Sequence, residues 1–372
     1  MTDKNINCGQ RLLSLDALRG FDMLFIMGFS AIIVGICTAL GFEKDCFLCE
    51  QMRHVKWHGL AFMDTVFPLF LFIAGASFPF SLSKQRSAGI SDGAIAAKCV
   101  KRGLLLFALG MLYGNFLKLD FSHFRVWSVL GRIGLAWMFA ALIFMKCGAK
   151  MRFVVMSSIL VGMALFFRFV LALDAPPGTD PFSQEGNFGC WLDRTVTSGH
   201  ILRKMHDPEG FAGLIPSVAT AMLGMFAGEI LAVSRWSGWR KAGTLLGSAA
   251  ACAGFLLVFM QFCPINKALW SPSFVLACGI YSFSALAGFY LIVDVLGFRK
   301  WAFPLQVIGM NSITIYFAQR MLGFNKATDF VFGGLSSKFP EGWKVVVWQA
   351  GYVAICWTFL YFLYRKKTFL KV

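Results

Sequence analysis

The sequence predicts an all-α, polytopic membrane protein with about ten transmembrane helices and both termini in the cytoplasm. Of its 372 residues, 58% are hydrophobic and only 15% are charged, whereas a soluble domain is about half apolar and a quarter charged. Apolar stretches of roughly 20 residues, the length of a helix that crosses a bilayer, recur along the whole chain. The connections between them are alternately rich and poor in basic residues, as in polytopic membrane proteins.

Each predicted span is an apolar run bounded by polar or charged residues. The ten runs lie at about 20–40, 61–82, 101–118, 126–146, 152–173, 211–233, 242–261, 272–297, 302–321 and 344–364. The first run is too long for the apolar core of a signal peptide, and no small-residue cleavage site follows it, so we expect no cleaved leader. Residues 1–372 are predicted to form a single transmembrane domain, with outer segments at about 41–60, 174–210 and 322–343.

The net charge of +16 indicates membrane topology and not a nucleic-acid partner. Lysine and arginine accumulate on cytoplasmic loops. With the N-terminus inside, most of the 35 lysine and arginine residues fall on the inner segments, which are also the shorter ones. We therefore expect membrane lipid, and no nucleic acid, as the surroundings of the chain.

Cys46, Cys49 and Cys190 fall in the predicted outer segments. Cys46 and Cys49 have the spacing of half a zinc site, but no second Cys or His pair at zinc spacing accompanies them. The expectation is therefore no metal and a structural disulfide in an oxidising compartment. The spacing does not fix which of the three cysteines pair.

Arg132 lies within the predicted span 126–146, where a charged side chain costs about 2.5–3.5 kcal/mol. Two interpretations stay open: a structural ion pair with a carboxylate such as Asp64 or Asp294, or a functional role in binding. Glycine pairs at 110–114 and 224–228 permit close helix packing. They occur often by chance, and a homodimer stays open.

Titratable groups are concentrated where the second span begins. His54 precedes this span by a few residues, Asp64 lies at its start, and all five histidines of the chain fall on the predicted outer side. Imidazole transfers protons near neutral pH and is often oriented by a carboxylate. A carboxylate also suits the first turn of a helix. We therefore predict His54 and Asp64 as catalytic residues, against the alternative of ordinary polar residues at a polar boundary.

Seven motifs at the ends of the spans carry a family resemblance. They are "LSLDALRGFDM" (13–23), "RHVKWHGLAFMDTVFPLFLFIAGAS" (53–77), "SVLGRIGLAW" (128–137), "HDPEGFAGLIPSVATAMLGMFAGE" (206–229), "PINKALWSPSFVL" (264–276), "GMNSITIY" (309–316) and "LYRKKTFLKV" (363–372). Through them the chain resembles the transmembrane acetyltransferases typified by heparan-α-glucosaminide N-acetyltransferase, and in particular their bacterial relatives.

The resemblance implies an enzyme of the bacterial inner membrane that uses cytosolic acetyl-CoA to acetylate an amino sugar on the far side. It also implies that His54, and not His58, occupies the position of the family's active-site histidine, because two residues and then Trp-X-Gly-Leu follow it. This chain has Ser30 where the family has an active-site asparagine, so the acceptor stays open among free glucosamine, glycan fragments and envelope glycans. Direct transfer and an acetyl-histidine relay both stay open.

Acetyl-CoA carries phosphates, which lysine and arginine bind well. The C-terminal motif and residues 98–102 supply a basic inner surface, which ordinary membrane topology also explains. The residues predicted to hold acetyl-CoA or to line its passage are Arg132, Asn311, Ser312, Tyr364, Arg365, Lys366, Lys367 and Lys371. The residues predicted to bind the amino sugar at the outer edge are Ser30, Trp57, Asn266, Lys267 and Trp270.

Two other functions compete with this prediction. A transporter of the inner membrane that carries an amino sugar would also have about ten helices with polar residues at depth. Such transporters commonly show inverted repeats and paired broken helices, and the sequence indicates neither. A membrane scaffold without chemistry would leave the polar groups within the spans without a purpose.

Overall fold

A computed structural model describes residues 12–43, 45–114, 125–197 and 200–369. This part of the chain is helical, and its only extended pairings are two isolated bridges, His58 with Asn266 and Leu171 with Asn187. The α-helices in chain order are α1 Leu13–Leu24, α2 Ser30–Ala39, α3 Phe47–Gln51, α4 Phe62–Ser87, α5 Asp92–Tyr113, α6 Val129–Lys146, α7 Ala149–Phe169, α8 Phe188–Val196, α9 Phe211–Ala232, α10 Gly238–Phe259, α11 Pro272–Phe289, α12 Phe303–Met310, α13 Ser312–Met321, α14 Phe324–Ser336 and α15 Glu341–Arg365. Single π-helical turns extend α1 over Phe25–Phe29 and α11 over Tyr290–Val295.

Eight helices in the described residues are long and apolar enough to cross a membrane. They are Leu13–Ala39, Phe62–Ser87, Val129–Lys146, Ala149–Phe169, Phe211–Ala232, Gly238–Phe259, Pro272–Val295 and Glu341–Arg365. The predicted class, an all-α polytopic membrane protein, is confirmed. The count of ten stays a prediction, because α5 carries Lys98, Lys101 and Arg102, and the run 302–321 forms two short helices.

Two helices are interrupted inside the protein. The first is interrupted at Gly28, which has a φ of 107°, a conformation that glycine adopts without strain. A Cβ atom there would clash with Gln349, whose side-chain amide donates to the carbonyl of Met27 over 3.3 Å. The second interruption is Asn311, which separates α12 from α13. The sequence did not indicate these two interruptions, because two local changes in φ and ψ left the apolar pattern of both runs intact.

Glycines allow the interrupted helices to pack in close contact. A Cβ on Gly20 would overlap the carbonyl of Leu305, and one on Gly309 would overlap the carbonyl of Asp16. The predicted glycine pair at 224–228 acts in the same way within the chain, because Gly224 and Gly228 lie against backbone carbonyls of α4. Small residues at such contacts let helix backbones approach closely.

The core lies around α4 and α9, which are the most deeply buried of the eight long helices, whereas α10 and α15 expose most of their surface. The exposed side chains of α10 include large apolar residues such as Phe255 and Leu257, as expected for helices that face lipid. The segments that precede α4, α9 and α11 hold His54, Glu209 and Lys267, and these three side chains share one cavity. The fold therefore brings three chain segments that are distant in sequence to one site.

Candidate active site

His54, Asp64 and Lys267 form a three-residue cluster. His54 Nδ1 lies 2.8 Å from Asp64 Oδ1. Lys267 Nζ lies 3.1 Å from the same carboxylate oxygen and 3.0 Å from His54 Nδ1. Asp64 is fully buried, Lys267 is mostly buried, and the His54 ring is 54% exposed. A solvent-accessible imidazole is therefore in contact with a buried carboxylate and a mostly buried ammonium group.

The backbone around the start of α4 fixes Asp64. Its Oδ2 accepts hydrogen bonds from the N–H groups of Ala61 at 3.1 Å and of Val55 at 3.3 Å. An acidic side chain at the third residue of a helix meets otherwise unpaired N–H groups and the positive end of the helix dipole. The Asp64 carboxylate therefore has both expected roles: it binds N–H groups at the start of α4 and it contacts His54.

The shared contacts determine which imidazole nitrogen is free. Nδ1 of His54 cannot donate to Asp64 and accept from Lys267 at the same time. Lys267 already has Asp64 as an acceptor, so we assign the proton on Nδ1 to the hydrogen bond with Asp64. In this tautomer Nε2 keeps its lone pair, as a general base requires.

The turn at residues 264–271 places Lys267 beside His54. Gly59 N–H donates to the carbonyl of Ile265 over 2.9 Å, and Asn266 pairs with His58 in an isolated bridge. The Asn266 side chain is fully buried and accepts from Leu269 N–H at 3.0 Å. Asn266, one of the predicted sugar ligands, therefore shapes this turn.

Trp270 differs from its expected position at the outer edge. Its indole is fully buried, donates from Nε1 to Thr220 Oγ1 over 3.1 Å, and packs against Phe67 and Phe274. A sugar cannot stack on a ring that has no exposed face. The error has a physical reason: a tryptophan at a helix start is compatible with the membrane boundary and with the core.

Trp57 and Ser30 do not touch the cluster through any hydrogen bond in the described residues. Trp57 is half-buried, donates from Nε1 to the carbonyl of Phe182 over 2.8 Å, and packs edge-on against the His206 ring. Ser30 is half-buried at the start of α2, directly after the π-turn. Both predicted sugar ligands therefore stay predictions.

His54 and His58 are exposed, His200 is half-buried and His206 is buried. His206 is 3% exposed, and burial, with Arg203 nearby, lowers its pKa to about 4. His58 is fixed by its bridge to Asn266. His123 lies outside the described residues.

A cavity of about 220 Å³ opens beside the cluster. His54, Lys267 and Glu209 contribute to its wall, and so do Ser312 and Tyr316 of α13. The remaining wall is apolar, with side chains of α1, α4 and α6. Mostly apolar cavities with a few convergent polar groups are typical of binding sites for small molecules.

An ion-pair network that the sequence did not indicate lies at this cavity. The Arg125 guanidinium contacts the carboxylates of both Asp207 and Glu209, with Nε donating to Asp207 over 2.9 Å. Asp207 and Glu209 are at least nine-tenths buried. The only sequence signal was the pair of acidic residues in "HDPEG", directly before α9.

Arg132 occupies neither of its expected positions. It does not line the cavity and it pairs with neither Asp64 nor Asp294. Its guanidinium donates to the carbonyl of Gly210 over 2.8 Å and lies 5.1 Å from the Trp270 ring centroid. It is fully buried. Arg132 therefore connects α6 to the start of α9, and the alternative of an ion pair with Asp64 or Asp294 does not hold.

The predicted acetyl-CoA ligands near the C-terminus lie close to the helix break. Asn311 Nδ2 donates to the carbonyl of Thr368 over 3.2 Å, and Ser312 is a wall residue of the cavity. Arg365, Lys366 and Lys367 are exposed where α15 ends, and Tyr364 before them is half-buried. Lys371 lies outside the described residues.

The cysteines differ from the expected grouping. All ten cysteines in the described residues are free thiols. Cys190 belongs to a separate buried cluster with Phe167 and Cys263, whereas Cys37 of α2 lies beside Cys46 and Cys49. The expected disulfide among Cys46, Cys49 and Cys190 is therefore not formed, and position in a predicted outer segment did not determine proximity.

No family model matches the chain. The chain is 27% identical over 431 aligned residues to heparan-alpha-glucosaminide N-acetyltransferase of Homo sapiens, covering 97% of this chain and 60% of that protein. It is also 27% identical to the Mus musculus protein of the same name, covering 86% of this chain and 56% of that protein. The chain thus spans little more than half the length of these relatives. Over most of its length the chain is therefore similar to proteins named heparan-alpha-glucosaminide N-acetyltransferase.

Proposed function

We propose that the chain transfers the acetyl group of cytosolic acetyl-CoA to the amine of a glucosamine-type sugar on the extracytoplasmic side of a bacterial inner membrane. The observation that carries this proposal is the cavity. Its wall includes His54 and Lys267 and also Ser312, directly after the Asn311 break against which the basic C-terminal segment is held. Side chains suited to a proton transfer therefore share a cavity with Ser312, and the neighbouring Asn311 contacts the segment that carries the cations suited to a phosphorylated donor.

The residues present fit an acetyl-CoA molecule in two respects. The exposed cations Arg365, Lys366 and Lys367 suit its phosphates, which bind lysine and arginine strongly. The apolar wall of the cavity, which ends at Ser312, suits a thin uncharged arm that carries a thioester. Acetyl-CoA supplies an acetyl group on sulfur, so the carbon–sulfur bond breaks and the thiolate leaves.

His54 performs the proton transfer in this proposal. A sugar amine is protonated in water and must lose a proton before its nitrogen can form the amide bond. Nε2 of His54 accepts that proton, while Nδ1 keeps its hydrogen bond to Asp64. The imidazolium is stabilised by the buried carboxylate. The nitrogen loses a second proton when the amide forms, so that one of the two protons goes to the departing thiolate and the other leaves to solvent.

The route of the acetyl group, direct or through His54, needs a separate measurement. In a relay, Nε2 of His54 would first take the acetyl group from sulfur and then pass it to the amine. Mass spectrometry of peptides containing His54, after incubation with acetyl-CoA and no acceptor, distinguishes the two routes. An acetylated His54 indicates the relay, and an unmodified His54 indicates direct transfer.

Glu209 is the residue we add to the predicted acceptor site. It contributes to the cavity wall with His54, and Arg125 holds its carboxylate. A fixed carboxylate accepts hydrogen bonds from sugar hydroxyls and favours an ammonium group over a neutral one. The acceptor would therefore enter as a cation and lose its proton at His54.

The test of the proposed function uses purified full-length chain, acetyl-CoA labelled in the acetyl group, and glucosamine. We expect label in N-acetylglucosamine, at a rate that depends on both substrates. The alternative, an amino-sugar transporter, gives no role to the basic C-terminal segment. Uptake of unmodified glucosamine into vesicles, without any acetylated product, would overturn the enzyme proposal.

Neutralising the basic C-terminal segment should weaken acetyl-CoA binding and leave the acceptor KM unchanged. We expect the triple variant Lys366→Ala/Lys367→Ala/Lys371→Ala to bind acetyl-CoA about tenfold more weakly. Each exposed charge contributes roughly 0.5 kcal/mol, and about 1.4 kcal/mol corresponds to a factor of ten. The measurement is an acetyl-CoA titration at low salt, where such attractions are strongest.

The matched control removes exposed charges from the segment before α15 and from the first turn of α15, in the variant Lys338→Ala/Lys344→Ala. Both lysines are exposed and lie in or beside the predicted outer segment. The control should keep the acetyl-CoA affinity of the unmodified chain. Equal affinity in the triple variant and the unmodified chain would show that the C-terminal cations serve membrane topology alone.

A further inference from the structure

The cluster of Cys37, Cys46 and Cys49 has no part in the proposed reaction. The sulfur atoms of these three residues lie within 4.8 Å of one another. Cys37 is in the last turns of α2, Cys46 is the residue before α3, and Cys49 is inside α3. Two chain segments therefore bring three thiols to one point.

We propose that these three cysteines form a thiolate site for a thiophilic d¹⁰ metal ion, of the class of Cu(I) and Zn(II). Sulfur ligands select such ions among the common metals. Sulfurs bound to one ion at about 2.3 Å lie about 4 Å apart, so the cluster needs to contract by less than about 1 Å. Binding replaces the thiol protons, which leave to solvent.

The surroundings of the three thiols favour a site over a chance encounter. Cys37 and Cys49 are 4% and 1% exposed, so their sulfurs face the cluster and not water. Cys46 is half-buried and leaves an open side for an ion to enter. The Cys49 N–H donates to the Cys46 sulfur over 3.4 Å, so the backbone of α3 orients this sulfur within the cluster.

The number of sulfur ligands limits which metal ion the site can hold. Three sulfurs complete a trigonal Cu(I) site, and no fourth Cys, His, Asp or Glu joins the group in the part of the chain that the structure describes. Zinc is almost always four-coordinate, so Zn(II) would need a water on the open side at Cys46. A disulfide would use only two of the three sulfurs and needs them about 2 Å apart.

The site would fix the segment that leads to His54. Helix α3 ends at Gln51, whose side-chain oxygen accepts the N–H of Phe62, at the start of α4, over 2.9 Å. His54 follows three residues later. A metal at the three cysteines would hold the end of α2 and α3 together and thereby stabilise this segment. The site itself does not depend on the proposed acetyl transfer.

The test titrates reduced, full-length chain without oxygen, with Cu(I) against a coloured chelator and with Zn(II) in parallel. We expect one equivalent of one of these ions to bind, with three sulfur neighbours in X-ray absorption. Cys37→Ser, Cys46→Ser and Cys49→Ser should each lower the affinity at least about a hundredfold, because loss of even a supporting residue costs 10- to 100-fold. Cys147→Ser, a half-buried cysteine outside the cluster, is the matched control.

Thiol labelling provides a second measurement that needs no variant. The bound ion should protect the three cysteines from alkylation and leave Cys147 reactive, as peptide mass spectrometry can show. Three sulfurs alone identify a three-coordinate ion, and three sulfurs with one oxygen identify a four-coordinate ion. Failure of both ions to bind, unchanged affinity in Cys37→Ser, or a disulfide joining two of the three cysteines in the isolated protein would overturn the proposal.

Discussion

His54→Ala is expected to lower the turnover number at least about a hundredfold while the chain still folds, inserts and binds acetyl-CoA. The reason is that Nε2 of His54 is the only exposed base on the Asp64–Lys267 support, and general-base assistance supplies a factor of roughly 10² to 10⁴. Removing a ring that is 54% exposed leaves little cavity, so stability should change little. The measurement is kcat across pH, with acetyl-CoA affinity measured in parallel.

His58→Ala is the matched control, since it removes a second exposed imidazole from the same loop. His58 Nδ1 lies 3.4 Å from Asn266 Nδ2 and makes no contact with Asp64. We expect its turnover to fall less than tenfold. Near-normal turnover in His54→Ala, or a greater loss in His58→Ala than in His54→Ala, would show that the catalytic histidine is wrongly assigned.

Asp64→Asn should lower turnover by about a hundredfold or more and leave most of the fold intact. An asparagine keeps the shape and an oxygen for the N–H groups of Ala61 and Val55. It removes the negative charge that stabilises a protonated His54, and its amide N–H favours the tautomer in which Nε2 carries the proton. A larger loss, of about 10⁴-fold, follows when the carboxylate behind a catalytic histidine is changed to an amide in a known protease.

Asp64→Ala serves as the contrast, because it also leaves the Lys267 ammonium without its buried partner. Removing one member of a buried ion pair costs about 3 kcal/mol or more, so this variant should unfold at a lower temperature. The two measurements are kcat against pH and thermal unfolding in detergent. If Asp64→Asn unfolds as early as Asp64→Ala, or if it retains normal turnover, Asp64 has a structural role alone.

The sequence was sufficient for the elements that depend on local pattern. Apolar runs of the right length predicted the helices, because every backbone group in lipid must be paired within its own segment. The contact of His54 with Asp64 was also predictable. Only ten residues separate them, and a carboxylate at a helix start attracts hydrogen-bond donors.

The rest depends on contacts between distant segments. Lys267 reaches His54 across 213 positions in the chain, and its nearness rests on the bridge between residues 58 and 266. The Arg125 network and the third cysteine, Cys37, needed the packing of separate helices. A polar residue such as Asn311 gives no signal that it interrupts a helix, because its neighbours are as apolar as those of a continuous span.

Trp270 and Arg132 illustrate a different limit. Each was expected to meet a substrate or a carboxylate, and instead each is a partner of the other in the core. A cation above an aromatic ring satisfies part of the charge that a carboxylate would have neutralised. Residue type alone does not tell whether a buried arginine pairs with a carboxylate or packs on an aromatic ring, since both arrangements keep the guanidinium away from lipid.

The most direct test of acetyl transfer across the membrane uses proteoliposomes in which the chain has one orientation. Labelled acetyl-CoA is confined to the side that bears the C-terminus, and glucosamine is supplied only on the opposite side. Our account predicts labelled N-acetylglucosamine on the glucosamine side, and none when His54 is replaced by alanine. Product that forms only when both substrates share one side, or free glucosamine that crosses the membrane unmodified, would contradict it.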